Sequence, residues 1–452
     1  MAFVDPPQRP GLRRTLGPLT LWGLGVGYVI SGEYFGWNLG LPLAGTYGML
    51  AATIAITIMY FTFVFSYAEL ACAIPRAGGA FVYCTRGLGP FWGNLAGTVQ
   101  IVEFVFAPPA IAMAIGAYLS QRFTGLDPRV VAIVAYLIFT LLNAWGVKQA
   151  ALFELVVTVL AVGELLVFMA VVAPSFQISK LTLDPLPAGW SGALAAVPFA
   201  IWFYLAIEGV ANAAEEARNP QRDVALGFGA AIITLMLLAL GVFFFAVGVD
   251  GWRAIVYAPG STEPSDAPLP LALARVVSKD SAMYTLLLGV GLLGLIASFH
   301  GIILAAGRAT MEFGRSGYAP RVLGRINGRT HTPVAALVVN MLVGIVAILS
   351  GRTAEIITLS CFGAAALYVL AMLALFALRR REPELHRPFR AVLYPVFPAI
   401  ALVLAVVSLV ALTVYNLKIA SIFAGLLILA VVYYLLRVRG KVDASWATRA
   451  AE

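Results

Sequence analysis

The chain has 452 residues, of which 61% are hydrophobic and only 12% charged, and its mean hydropathy is +0.92. No water-soluble core needs so much apolar sequence, so a soluble enzyme is excluded. The net charge of +8 is spread over short polar segments between apolar stretches, which suits anionic lipid headgroups better than nucleic acid.

At about 20 apolar residues per crossing, twelve spans are expected at 16–41, 47–72, 89–120, 130–147, 150–174, 192–214, 224–249, 282–307, 333–350, 354–378, 393–414 and 419–436. The first follows the polar stretch Asp5–Pro10, is long and lacks a small-residue cleavage site, so it reads as a retained span rather than a signal peptide. With the N-terminus inside, inner segments hold 22 of the 30 Lys and Arg residues, among them Arg9, Arg13, Arg14, Lys148, Arg218, Arg222, Arg379, Arg380, Arg381 and Arg449. The outer segments hold only Arg122, Arg129, Lys180, Arg253, Arg275, Lys279, Arg352 and Lys418. That bias places both termini of a multi-pass plasma-membrane protein in the cytoplasm.

Residues 1–452 read as one all-α domain. Cys72, Cys84 and Cys361 are expected as free thiols. His300, His331 and His386 are too few for a metal cluster, and there is no Gly-rich phosphate loop with a following Lys. No cofactor and no direct use of ATP are expected, and the absence of a nucleophile–base pair at recognisable spacing argues against a membrane enzyme.

The acids inside the spans carry the functional reading. Glu33 lies in the run Val29–Gly36 of span one, where a carboxylate is expensive and marks a site. Ser31, Gly32 and Gly36 lower helix propensity beside it, so a broken helix carrying a cation-binding acid is expected. Glu103 follows in span three, ahead of a kink expected at Pro108-Pro109. Glu164 follows in span five. Glu69 and Glu154 lie nearer the inner ends of their helices, where snorkelling or a loop contact accounts for them.

Span six repeats span one in chemical style, because Trp202–Asn212 again sets an acid, Glu208, beside a glycine, with Trp202, Phe203 and Tyr204 ahead of it. Two interrupted helices in corresponding positions point to an inverted repeat with its site at the midplane: 16–174 (spans one to five) and 192–378 (spans six to ten), with 393–436 (spans eleven and twelve) outside. The competing reading of each break is a tolerated glycine at a helix contact. His300, two residues after Ser298 in span eight, either bonds the substrate, relays a proton or closes a helix contact. The expected substrate-binding set is Ser31, Gly32, Glu33, Tyr34, Glu103, Trp202, Tyr204, Glu208, Ser298 and His300, with Glu164, Glu208 and His300 as coupling candidates for a proton or sodium.

Ala68–Tyr83 (AELACAIPRAGGAFVY) resembles the inner loop after span two in amino acid–polyamine–organocation (APC) transporters. Glu215–Asp223 (EEARNPQRD) resembles their loop after span six, and Ala309–Pro320 (ATMEFGRSGYAP) their segment after span eight. Within that superfamily Val29–Trp37, Val102–Ala110, Phe153–Thr158 and Ala297–Ile303 are most similar to ethanolamine permeases. The resemblance implies the twelve-helix, five-plus-five APC fold and secondary transport of a small amino alcohol, with a broader amine or amino acid permease or exchanger as the alternative.

Amino acid members of the superfamily typically open span one with a Gly-small-Gly run whose backbone N–H groups cradle the substrate carboxylate. This chain places Ser31-Gly32-Glu33 there. A Glu at that spot repels a substrate carboxylate by on the order of several kcal/mol at low effective dielectric, which favours an ammonium without an acid group. Gly163-Glu164-Leu165-Leu166 likewise stands against a Gly-Lys-Leu-Leu pattern common among the amino acid transporters. Glu164 is there a proton site, a sodium ligand, a counter-ion or a neutral carboxyl between helices.

Overall fold

The computed structural model describes residues 15–76, 78–123, 125–146 and 150–442. The stretch Asp5–Pro10, Arg9, Arg13, Arg14, Ala77, Lys148 and Arg449, and the side chains of Phe153 and Glu215, lie outside the described residues.

The described chain is helical. In order the helices are α1 (Pro18–Val29), α2 (Ser31–Tyr34), α3 (Leu41–Ala73), α4 (Ala80–Leu88), α5 (Pro90–Arg122), α6 (Pro128–Trp145), α7 (Ala150–Val172), α8 (Ser191–Ala195), α9 (Val197–Trp202), α10 (Gly209–Asn212) and α11 (Pro220–Asp250). They continue as α12 (Trp252–Val256), α13 (Pro268–Leu273), α14 (Ala282–Arg315), α15 (Val334–Ser350), α16 (Thr353–Arg381), α17 (Val396–Tyr415) and α18 (Leu417–Tyr433). Among the described residues there is no β-strand; the bridges Leu16–Ala217 and Tyr257–Pro264 stand alone.

Among the described residues, nine helical segments are long and apolar enough to cross a membrane, and α15, with 17 residues, is a shorter tenth. The two remaining spans fall short because they are broken. Span one runs through α1 and α2 and then opens at Phe35 and Gly36 (φ 92°, ψ −47°). It resumes as a 3₁₀ turn over Trp37–Gly40 and the start of α3. Gly45 (φ 62°, ψ −172°) ends it, so α3 merges the outer piece of span one with span two.

Of the residues expected to loosen span one, Ser31 and Gly32 are helical and Gly36 carries the opening. The opening sits at Gly36 because a positive φ costs glycine least, whereas Gly32 keeps helical geometry and uses its missing side chain to pack. A Cβ on Gly32 would lie 2.4 Å from the Trp202 carbonyl oxygen and 3.0 Å from the Phe203 Cα. Span six is unwound where expected: α9 stops at Trp202, Phe203–Glu208 are turns, and α10 resumes at Gly209. The Pro108-Pro109 pair lies inside α5, which continues as one helix from Pro90 to Arg122.

The broken spans sit in the centre. α1 packs on α7, α11 and α14, while α9 packs on α3 and α16, and α5 lies against α16 and α14. α17 and α18 present mostly exposed apolar faces, as helices at a lipid boundary do. At the end carrying α4, the buried Glu69 receives Arg379 Nε and Nη2 at 2.7 and 2.6 Å, Arg387 Nε at 3.1 Å and the Ala391 N–H at 2.7 Å. Of the two readings expected for Glu69, the loop contact holds, because Arg387 and Ala391 lie after the end of α16, and the acid is buried rather than snorkelling. At the other end, Asn38 Nδ2 donates to the Ser265 carbonyl at 2.8 Å and Thr353 Oγ1 donates to the Asp266 carboxyl at 2.7 Å, tying the 257–267 loop over span one. Burial pushes the Asp266 carboxyl up to about 6.

Candidate functional site

The unwound segment Phe203–Glu208 is the centre of the site, because side chains from four spans converge on it. Ala206 has φ 74°, a conformation that a residue with a Cβ adopts only at a cost of about 1–3 kcal/mol. Its N–H donates to Glu103 Oε1 at 3.3 Å, so an acid of α5 caps the strained turn. α5 can deliver that acid because Gly363 of α16 has no side chain: a Cβ there would meet Glu103 N at 2.7 Å and the Val99 oxygen at 2.6 Å. Ser360, on the same part of α16, donates to the Glu103 carbonyl at 2.7 Å.

Glu208 closes the segment. Its Oε2 accepts from Tyr368 OH at 3.0 Å, and that hydroxyl lies 3.0 Å from Tyr60 OH. The Glu103 and Glu208 carboxyls meet side chain to side chain. Glu103 Oε2 and Glu208 Oε1 have no hydrogen-bond donor among the described residues. With the two residues 0% and 1% exposed, neither oxygen is satisfied by bulk water, and a buried carboxylate without a partner is unfavourable.

Glu33 comes to the same segment from span one but has different neighbours. It is 0% exposed, both carboxyl oxygens lack a donor among the described residues, its carbonyl accepts Trp37 Nε1 at 3.2 Å, and its charge bears on Tyr34 and Tyr204. Of the acids in the expected binding set, Glu103 and Glu208 thus form a close pair and Glu33 stands apart from them. Trp202 lies over the other break: its indole sits where a Cβ on Gly36 would be, it meets Phe35 edge-on at 5.4 Å, and its Nε1 has no partner. Tyr204 OH is 2.6 Å from Thr57 Oγ1, and its ring lies 5.1 Å from that of Tyr60.

The other expected residues distribute around this centre. Ser298 Oγ donates to the Tyr28 carbonyl at 2.7 Å and lies 2.8 Å from Ser31 Oγ, which joins α14 to the end of α1. Tyr34 OH donates to Glu164 Oε2 at 2.7 Å, and Tyr118 OH donates to the Tyr34 carbonyl at 2.9 Å. Glu164 therefore touches the span-one break through a tyrosine and lines a small cavity with Tyr118, Phe168 and Tyr284. The structure does not bring His300 to this group. Its Nδ1 lies 3.1 Å from Asn143 Nδ2 of α6 beside the Phe139 ring, a helix contact that makes Nδ1 the acceptor.

Four residues of the site escaped the sequence reading: Thr57, Tyr60, Ser360 and Tyr368. Each is a common residue in an apolar helix with no local signal. Glu154 lies in the first turns of α7, near the helix end as expected, but it is buried rather than snorkelling. It is 3% exposed, its Oε1 lacks a partner, and that oxygen lies where Cβ atoms on Gly27 and Gly301 would approach to 2.4 and 3.5 Å.

The sequence profile described as amino acid permease matches residues 16–435. An uncharacterized transporter of Rhizobium meliloti (strain 1021) is 29% identical over 410 residues, covering 88% of this chain and 86% of its own. A methylthioribose transporter of Bacillus subtilis (strain 168) is 24% identical over 421 residues, 86% of each chain. The branched-chain amino acid permease BcaP of the same organism is 24% identical over 450 residues, 94% of this chain and 93% of its own.

Proposed function

This chain belongs to the amino acid permease family of the APC superfamily, and from that premise we propose that it carries a small cationic amino alcohol, ethanolamine, across the plasma membrane by alternating access. The observation that carries the reading is the set of three buried carboxyls, Glu33, Glu103 and Glu208, on the two broken spans and the helix between them, with no basic side chain among the described residues paired to any of them. Such a site has the charge for an ammonium and repels a carboxylate. Trp202 and Tyr204 wall it and offer cation–π faces worth about 0.5–2 kcal/mol each. Ser31 and Ser298 supply neutral oxygen for a hydroxyl, while His300, held by Asn143, leaves the substrate set.

The rest of the reading follows from the family frame. Spans one to five and six to ten form the two repeats, with alternating access as motion of one against the other. Both termini face the cytoplasm, as the distribution of Lys and Arg favours. The coupling ion is the proton, since the unpaired buried acids offer titratable groups. A broader amine or amino acid permease is the second reading, and the amino acid permease among the relatives favours it. Uptake of labelled ethanolamine into proteoliposomes, under separately imposed proton and sodium gradients, tests both. Uptake that follows the pH difference and ignores sodium supports the reading. Uptake of neutral amino acids without uptake of ethanolamine refutes it.

A further inference from the structure

Glu103 and Glu208 reach one another from different spans, and no basic side chain among the described residues bears on either. The titratable groups around them are Tyr60 and Tyr67 of α3 and Cys361 and Tyr368 of α16. One oxygen of each carboxyl is engaged, by the Ala206 N–H and by Tyr368 OH, and the other oxygen of each has no hydrogen-bond donor among the described residues. Two carboxylates in contact in a buried space repel strongly, and a single proton between them turns that repulsion into a hydrogen bond. The same space is the one an ammonium needs.

Resting on the ethanolamine reading, we propose that substrate and proton compete for the Glu103–Glu208 pair, so that each amine bound displaces one proton and the transporter exchanges the two. The charge balances. Before binding, the pair is one carboxylic acid and one carboxylate, with net charge −1. Afterwards it is two carboxylates around one R–NH₃⁺, again −1, and the proton has passed to water. The step is electrically silent, so the amine gradient and the pH difference together set the direction of flux. A route for the proton is marked by buried polar atoms without partners. Tyr67 OH, on which the Glu208 charge bears, and Asn212 Oδ1 converge on Gly79, at the end of the bundle that carries α4.

Displacement gives the opposite pH dependence to co-binding. A displaced proton weakens amine binding tenfold for each unit by which pH falls below the titration of the pair, whereas a co-bound proton strengthens it. The test is calorimetric titration of ethanolamine into the full chain in lipid nanodiscs at fixed pH, in phosphate and in HEPES, whose different ionisation enthalpies count the protons released. The expected result is about one proton released per ethanolamine bound. In Glu103→Gln the amide N–H replaces the shared proton, so weaker binding with no proton release is expected. Wild-type binding with no release, or with proton uptake, overturns the proposal.

A ligand-free readout separates this from failure of the substrate reading. The infrared carboxylic-acid C=O band at neutral pH should be present in the wild type and diminished in the Glu103→Gln/Glu208→Gln double variant. A band unchanged in the double variant overturns the shared proton whether or not ethanolamine binds. Absence of ethanolamine binding alongside a sensitive band overturns the substrate and leaves the proton pair standing.

Discussion

At the scale of single residues, the carboxyls differ in what surrounds them, and so in what their removal does. Glu208→Gln removes the charge while keeping the shape, and a charge-assisted hydrogen bond is worth about 1.5–3 kcal/mol. Ethanolamine binding should weaken about 10- to 150-fold, as measured by calorimetry. Glu33→Gln should fall in the same range, and unchanged affinity there would mean that the cation is held by the pair alone. Tyr368→Phe takes away the donor to Glu208 Oε2 and should weaken binding by about 1 kcal/mol, with fold and expression intact. The acids were legible in the sequence because charge is rare in these spans. Tyr368 and Tyr60 were not, since the chain has 17 tyrosines and nothing local sets these two apart. The left-handed Ala206 was equally hidden, because alanine carries no signal for a positive φ.

At the scale of elements, the breaks show which part of a local signal survives packing. Glycines beside an acid marked both interruptions, and of the two named in span one the opening falls at Gly36 because Gly32 is used to seat α2 against the Trp202 carbonyl. Spacing along a chain does not tell which of two glycines serves packing and which serves the turn. Glu69 shows the same limit: a near-terminal acid was legible, whereas its partners on and after α16 are more than 300 positions away. Glu69→Ala leaves Arg379 and Arg387 without their buried counter-charge, and breaking such a cluster costs about 3–5 kcal/mol. A lowered thermal midpoint with unchanged ligand preference is the expected result. The Asp266 loop should respond to pH. Its folded carboxyl titrates at about 6 against an ordinary 3.8, so the folded state holds the proton more tightly. That contribution to stability is full below about 3.8, declines as pH rises, and is lost once pH passes about 6. Thermal unfolding followed between pH 4 and pH 7 in wild type and Asp266→Asn should show the decline in the wild type only.

At the scale of the whole molecule, apolar run length placed ten of the twelve expected spans on continuous helices and the remaining two on the interrupted ones. That much was legible because a bilayer fixes helix length through hydrogen-bond satisfaction and leaves the chain few alternatives. The placing of His300 was not legible: a lone histidine in a helix says which span it occupies and nothing of which neighbour it faces. The central claim is that buried carboxyls select an ammonium and reject a carboxylate, and serine tests it most directly, since it carries the amine and hydroxymethyl of ethanolamine plus an acid group. In proteoliposomes taking up labelled ethanolamine, unlabelled serine should compete at least about tenfold more weakly than unlabelled ethanolamine, a difference of about 1.4 kcal/mol. Equal competition by serine would contradict the claim, since the acids would then exert no repulsion on the substrate carboxylate.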